Sequence, residues 1–189
     1  WKYQQYIACL DPLGEDRGKT PYALNPEQYG MFLTELFNLW YEDWKKGEQP
    51  YIRQFENYIG ILLGYQPESC EQRGSCGTQN VVEADGSVYP CDFYALDEYK
   101  LGNFNCNRLE EIDKKRKEIA FVEQSQIVAE NCKNCKFYKI CKGGCRRNKD
   151  FNAMNGEYEN YFCKSYRIFF DICLERMIQI VEIIKNQKG

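Results

Sequence analysis

The sequence contains no histidine, and that absence removes several kinds of site at once. A Ser-His-Asp triad, a Cys-His nucleophile pair and every zinc finger of mixed Cys and His ligands all require an imidazole group. Any metal site in this protein must therefore be built from cysteine or carboxylate side chains.

The chain also lacks a surplus of charge of one sign and a long apolar run. Its 25 basic residues nearly balance its 28 acidic residues, leaving a net charge of -3. Neither a nucleic acid nor a membrane surface is therefore indicated as a partner, and no run approaches the roughly 18 apolar residues of a membrane span. Because the chain opens on Trp1 without a secretory signal, we expect it to be part of a longer cytoplasmic protein.

Cysteine, by contrast, is abundant, with eleven residues in the chain. Seven follow one pattern, C-x9-G-x4-C, then C-x2-C-x5-C-x3-C, then a final C, and an eighth lies six residues before the first. Eight thiolates suffice for two four-cysteine sites, and four cysteines are the usual ligand set of an iron–sulfur cluster. We therefore predict two clusters whose ligands are Cys70, Cys76, Cys91, Cys132, Cys135, Cys141, Cys145 and Cys163.

Two other uses of these cysteines compete with the cluster hypothesis. Two all-cysteine zinc sites would need the same eight thiolates, and a disulfide framework is a weaker alternative because the count is odd and the chain is long. Spacing also leaves the pairing open, since each group of three cysteines needs a distant fourth ligand and Cys145 or Cys163 can supply it. Of the other cysteines, Cys9 and Cys106 have no partner by spacing, and Cys173 lies on an apolar helical stripe.

A basic segment accompanies the second group of cysteines. From Cys132 to Lys149 there are seven Lys and Arg residues and no Asp or Glu. Four thiolates around an oxidised four-iron core leave a net charge of about -2, so nearby positive charge would favour cluster binding. A solvated basic loop is the plainer interpretation. Within this segment, Gly143 and Gly144 offer backbone N–H groups close to the sulfur atoms.

Hydrophobic periodicity and turn signals predict an α+β fold. We expect a strand over 3–9, helices over about 27–46, 50–63, 107–126 and 160–186, a hairpin with strands at 79–83 and 87–90, and a loop over 132–145. The buried face of the first helix is expected to carry Met31, Phe32, Leu36, Leu39 and Trp40.

Four short segments add to the cysteine pattern. They are Gln5-Tyr6-Ile7, Leu10-Asp11-Pro12-Leu13, the run DGSVYPCDFY at 85–94, and the run CKGGCRR at 141–147. Together with the cysteines, they resemble the SPASM motif of radical S-adenosylmethionine (SAM) enzymes that modify peptides. Within that superfamily the chain is most similar to the anaerobic sulfatase-maturating enzymes. The resemblance runs along essentially the whole chain and covers the C-terminal half of the family's proteins.

The resemblance implies a domain organisation and a ligand assignment. Residues 1–65 would be a remnant of a (β/α) partial barrel, and residues 66–189 a SPASM domain with a β-hairpin, two cluster-binding loops and a long C-terminal helix. Leu10 would lie at the end of a barrel strand, beside the adenine of SAM. One [4Fe-4S] cluster would be held by Cys70, Cys76, Cys91 and Cys145, and the other by Cys132, Cys135, Cys141 and Cys163.

The resemblance also implies an activity for the intact protein. Family members oxidise a Cys or Ser of an unfolded sulfatase peptide to formylglycine, using a radical generated from SAM at a third [4Fe-4S] cluster in the N-terminal part. A base takes a proton from the target, and an electron leaves through the two auxiliary clusters to an external acceptor. The implied base is Asp92, which follows Cys91; the alternative is that Asp92 caps the next turn.

The chain departs from the family in one respect. The C-x3-C-x2-C motif that binds the SAM cluster is absent, because Asn148 stands where a third cysteine would follow Cys141 and Cys145. We therefore expect the chain alone not to cleave SAM, and to act as the electron-transfer and substrate-docking part of an enzyme. Two other functions stay open: a maturase of another ribosomal peptide, and a zinc-binding interaction module with two four-cysteine sites.

Overall fold

The computed structural model describes residues 1–187, and over that range it mixes helices with three small sheets. This confirms the mixed α and β character predicted from the sequence. The helices are α1 (Pro26–Lys46), α2 (Arg53–Leu62), α3 (Cys70–Arg73), α4 (Leu109–Glu118), α5 (Phe121–Ser125), α6 (Glu130–Lys133), α7 (Tyr138–Cys141) and α8 (Cys163–Gln187). The strands are β1 (Tyr3–Gln4), β2 (Tyr51–Ile52), β3 (Val81–Val82), β4 (Ser87–Tyr89), β5 (Gly102–Asn103), β6 (Lys149–Asn152) and β7 (Glu157–Asn160).

The sheets are short, and only the first contains a parallel pair. Strand β1 runs parallel to β2, with α1 as the crossover between them, so this part of the chain is a βαβ unit. Strands β3, β4 and β5 form an antiparallel meander, and β6 and β7 form an antiparallel hairpin. The strand expected over 3–9 is paired only at Tyr3–Gln4. The parallel pair is compatible with the barrel remnant, which stays a prediction.

The main hydrophobic core lies between α1, α2 and α8. Fully buried aromatic rings fill it: the ring of Phe37 lies 5.2 Å from that of Phe55 and 5.9 Å from that of Phe169. Edge-to-face contacts of this kind add to the stabilisation that apolar burial supplies. Since this core draws residues from both sides of the predicted boundary at 65/66, any division there cuts through shared packing.

Helix α1 begins and ends where the sequence indicates, but its buried face is rotated from the prediction. Asn25 and Gln28 form a capping box before the first turn. Gly47 ends the helix with a φ of 73°. Helix α8 approaches α1 at Gly30, where an added Cβ would lie 3.0 Å from the Ser165 backbone. The buried residues are therefore Tyr29, Gly30, Leu33, Phe37 and Trp40, while Met31, Phe32 and Leu39 are exposed.

Two further predictions of secondary structure need correction. The helix expected over 107–126 is interrupted at Ala120, whose φ of 48° turns the chain so that Phe121 is buried beside Cys91 and Tyr94. The long C-terminal helix begins at Cys163 rather than near residue 160, because the residues before it form the hairpin of β6 and β7. This hairpin was not predicted from the sequence. None of the helices described over residues 1–187 is long and apolar enough to cross a membrane.

Candidate metal centres

The eight predicted ligands line two separate cavities, four in each. We call Cys70, Cys76, Cys91 and Cys145 set I; they line a cavity of about 400 Å³. We call Cys132, Cys135, Cys141 and Cys163 set II; they line a much smaller cavity of about 20 Å³. All eleven cysteines are free thiols, so the disulfide alternative is not supported.

Set I brings together parts of the chain that are distant in sequence. Cys70 begins α3, Cys91 follows strand β4 after one residue, and Cys145 precedes a 3-10 turn at Arg146–Asn148. The loop before Cys76 packs directly on the loop before Cys145, since a Cβ added at Gly74 would lie 2.5 Å from the carbonyl oxygen of Lys142. Close backbone contact therefore joins the loop before Cys76 to the loop before Cys145.

A reversal of the chain between Cys141 and Cys145 sends these two cysteines to different sets. Three successive residues, Lys142, Gly143 and Gly144, have φ values of 55°, 84° and 70°. Left-handed backbone is costly for residues with a side chain, so two glycines ease this turn. Cys141 ends α7 and faces set II, whereas Cys145 emerges from the turn toward set I.

Replacing Gly144 with alanine is expected to destabilise the fold by more than about 2 kcal/mol, from left-handed strain plus a lost buried hydrogen bond. The new Cβ would lie 2.4 Å from Nδ2 of Asn160, which donates to the Gly143 carbonyl at 2.9 Å. Gly156→Ala is the matched control, because Gly156 has a φ of 71° and no atom within 4 Å of its added Cβ. Equal losses in anaerobic urea unfolding would contradict the steric part of this prediction.

The thiols of set I influence one another. Burial raises the pKa of Cys91 to about 12, and Cys76 adds to this effect. Burial, then the Glu71 carboxylate, raises the pKa of Cys145, with smaller contributions from Cys70 and Cys76. Two thiolates close together repel, so each makes the other harder to ionise. Cys145 is thus an electrostatic neighbour of Cys70 and Cys76.

Set II shows the same behaviour. Burial raises the pKa of Cys141 to about 12, and Cys163, Cys132 and Cys135 each contribute. Burial also raises the pKa of Cys132, where Cys163 and Cys135 are the next largest causes. Buried neighbouring thiols of this kind ionise together only when a metal cation compensates their charge.

Backbone N–H groups face three of the sulfur atoms. The backbone N–H groups of Phe93 and Gly143 lower the pKa of Cys91 and of Cys141, respectively, against the larger effect of burial. The amide of Arg147 donates to Sγ of Cys145 at 3.4 Å. Such donors stabilise thiolate and are a recognised means of tuning an iron–sulfur cluster. The expectation of an N–H group near a sulfur atom is met at Gly143, whereas the N–H of Gly144 donates to the carbonyl oxygen of Cys141 at 3.2 Å.

Only part of the basic segment faces the cysteines. Lys133 pairs with Glu130 at 3.0 Å and Lys136 with Asp171 at 2.6 Å, both on the surface. Arg146 lies in the wall of the set I cavity, with its guanidinium 4.5 Å from the centre of the Phe121 ring. Lys133 and Lys136 are therefore solvated surface residues. Arg146, by contrast, lies where its positive charge would act on a cluster bound by set I.

Asp92 and Leu10 both lie in the wall of the set I cavity. Asp92 begins the 3-10 turn Asp92–Tyr94 and is exposed. Its Oδ1 accepts a hydrogen bond from the Cys91 thiol at 3.2 Å. Over residues 1–187 the Asp92 carboxylate receives no backbone N–H hydrogen bond, so the capping alternative is not supported.

One polar contact near the centres was not anticipated from the sequence. The Tyr166 hydroxyl donates to the carboxyl of Glu71, which follows the set I ligand Cys70. Tyr166 is buried and also lines the set II cavity. Burial raises the pKa of Glu71, and the hydrogen bond from Tyr166 acts in the opposite direction. The pair connects the two cavities, and the only signal in the sequence was the position of Glu71 beside a ligand.

The four cysteines of each set line one cavity. In the part of the chain that the structure describes, no three Cys, Asp or Glu side chains are grouped so as to hold a single metal ion. In a four-iron cluster each cysteine binds a different iron atom. Four cysteines around one cavity are therefore a donor set that fits such a cluster.

Comparison with known proteins supports an iron–sulfur function. The model of the SPASM iron–sulfur cluster-binding domain matches residues 70–136. A cysteine-type anaerobic sulfatase-maturating enzyme of Clostridium perfringens strain 13 is 44% identical over 185 residues, 98% of this chain and 50% of the relative. A serine-type enzyme of Bacteroides thetaiotaomicron is 32% identical over 179 residues, 93% of this chain and 42% of the relative.

Solved structures give the same result. Native anSMEcpe with bound AdoMet has a TM-score of 0.88 at 44% identity, covering 97% of this chain and 50% of that chain. The same enzyme with bound AdoMet and Cp18Cys peptide has a TM-score of 0.87, covering 97% of this chain and 51% of that chain. Residues 70–136 therefore match an iron–sulfur cluster-binding domain of the SPASM class, and the fold of nearly the whole chain is similar to that of the related solved structure. Over nearly its whole length the chain is similar to anaerobic sulfatase-maturating enzymes, and it spans about half the length of the curated relatives it matches.

Proposed function

We propose that this chain is the auxiliary-cluster and substrate-docking part of a radical SAM enzyme that oxidises a Cys or Ser of a sulfatase peptide to formylglycine. The observation that carries the proposal is that set I and Asp92 line one cavity of about 400 Å³. A ligand set, a free carboxylate and room for a peptide side chain are thereby adjacent. The Cp18Cys peptide in a related structure supports a peptide as the partner.

The proposal gives each group of residues a task. Set I would hold one [4Fe-4S] cluster and set II the other. When bound, such clusters accept and pass on single electrons. The carboxylate of Asp92 would take the proton from the thiol or hydroxyl of the target residue, because it is exposed in the same cavity. Residues 5–8 and Leu10, which follow β1, also line this cavity, and Leu10 would contact the adenine of SAM.

The remaining parts of the proposal concern the intact protein. Residues 1–65 would complete a (β/α) partial barrel with sequence outside this chain, and residues 66–189 would form the SPASM domain. The third [4Fe-4S] cluster, and the rest of the SAM site beyond Leu10, would lie outside this chain, which lacks the C-x3-C-x2-C motif, so the chain alone is expected to be inactive. The electrons would leave to an external acceptor, in the cytoplasm.

Two other functions compete with this one. A zinc-binding interaction module would use the same cysteines, but the match of residues 70–136 to an iron–sulfur cluster-binding domain favours clusters. A maturase of another ribosomal peptide would keep every feature of the site and change only the peptide. The relatedness to both cysteine-type and serine-type sulfatase maturases favours a sulfatase substrate.

Iron content tests the proposal directly. Anaerobically reconstituted protein is expected to carry about eight irons and about eight sulfides per chain, since two four-cysteine sites each bind a four-iron cluster. Iron, sulfide and zinc are measured on the same sample, with strict exclusion of air so that zinc does not replace iron on the thiolates. About four irons would leave one set without a cluster, and two zinc ions with no sulfide would favour the interaction module.

A further inference from the structure

Lys149 lies between the two cysteine sets. It begins strand β6, four residues after Cys145, and its side chain is half-buried. A Cβ added at Gly143, in the turn that separates Cys141 from Cys145, would lie 4.0 Å from Nζ of Lys149. The ammonium is therefore close to the segment where the chain passes from set II to set I.

Hydrogen bonds fix the ammonium in this position. Nζ of Lys149 donates to the carbonyl oxygens of Ser125 and Ile127, at 2.9 Å and 3.2 Å. The hydroxyl of Ser125 in turn accepts the backbone N–H of Cys76 at 2.8 Å. A short path of two residues thus ties Lys149 to a ligand of set I. The ammonium of a lysine that is fixed by hydrogen bonds and half-buried is screened by solvent less than the ammonium of a mobile surface lysine.

The contacts of Lys149 reach both sets. Gly143, which lies beside the ammonium, lines the set II cavity together with Cys141. Ser125, whose carbonyl oxygen accepts a hydrogen bond from the ammonium, also accepts the backbone N–H of Cys76 in set I. By comparison, Arg146 lines the set I cavity and Arg167 the set II cavity.

We infer that Lys149 is a positioning residue whose ammonium, held between the two cysteine sets, makes both clusters easier to reduce. The inference rests on the proposed function, because it requires a cluster at each set. One-electron reduction adds a negative charge to a site that already carries about -2, and a fixed cation stabilises the added electron. Because one ammonium serves both sites, it moves both reduction potentials in the same direction, so their difference changes less than it would if the charge lay beside one cluster alone.

The test is a redox titration of Lys149→Met, in which the charge is lost and the length of the side chain is kept. Reduction of both clusters is expected to become about tenfold less favourable, which corresponds to 59 mV for a one-electron couple. The reduced clusters are followed by electron paramagnetic resonance on the full, anaerobically reconstituted chain. Lys149→Arg keeps the positive charge and is expected to stay near the wild-type potentials.

Lys139→Met is the matched control. Lys139 belongs to the same basic segment but is exposed on α7, so removing its charge is expected to leave both potentials within the error of the titration. Unchanged potentials in Lys149→Met, or a shift of only one cluster, would overturn the inference. If Lys149→Met binds less iron, Lys149→Arg must restore iron to both sets, and failure to do so would also overturn it. A wild-type chain without iron would instead contradict the proposed function.

Discussion

Replacing Asp92 with asparagine in the full-length enzyme is expected to lower formylglycine formation by about 100-fold or more, while SAM cleavage continues. The amide keeps the size of the side chain but cannot take a proton. Asp92 lies in the cavity lined by set I, and in the described part of the chain its one hydrogen-bond partner is the Cys91 thiol. Cluster binding removes that thiol proton, and the carboxylate is then free for the substrate.

The measurement separates the two halves of the reaction. Deoxyadenosine reports SAM cleavage and formylglycine in a sulfatase peptide reports product, so a missing base uncouples the two. Asp97→Asn is the matched control, because Asp97 is an exposed aspartate in the next 3-10 turn and does not line the cavity. Near-normal formylglycine formation by Asp92→Asn, with both clusters present, would leave Asp92 with a structural role only.

The eight candidate ligands could be selected from the sequence, but which of them share a cavity depends on the fold. Cysteine spacing records which residues lie on tight turns, and so it selects the eight candidates. Which of Cys145 and Cys163 joins which set depends on the left-handed backbone at Lys142, Gly143 and Gly144. Glycines permit such a turn without requiring it. At the level of sequence, therefore, only the family resemblance indicated how the ligands divide.

Errors in the predicted elements have a common physical cause, which is tertiary contact. Periodicity defined an apolar face on α1, but the close approach of α8 at Gly30 rotated the buried face toward Tyr29 and Leu33. The break at Ala120 buries Phe121 against Cys91 and Tyr94, and no residue near the break in the sequence indicates it. Lys149 likewise could not be distinguished by sequence from the other six basic residues of its segment. The fold shows that it is half-buried.

Cys145 is expected to contribute to the same cluster as Cys76 and Cys91, and paired removals can demonstrate this through iron content. In a Cys76→Ala/Cys91→Ala background, set I has lost two ligands and about four irons are expected to remain, all at set II. Adding Cys145→Ala to that background is expected to change nothing. Adding Cys163→Ala is expected to remove or perturb the remaining cluster, because Cys163 lies with Cys132, Cys135 and Cys141 around the other cavity.

The reciprocal background makes the result independent of any one variant. With Cys132→Ala/Cys135→Ala, set I is expected to keep about four irons, which Cys145→Ala removes or perturbs and Cys163→Ala leaves unchanged. Cys106→Ala in the wild-type chain controls for loss of a thiol as such, since Cys106 is exposed and lines neither cysteine cavity. If Cys145 instead served set II, the two backgrounds would respond in the opposite order. The turn at 142–144 would then not separate the two centres, and the basis for placing Lys149 between them would fail as well.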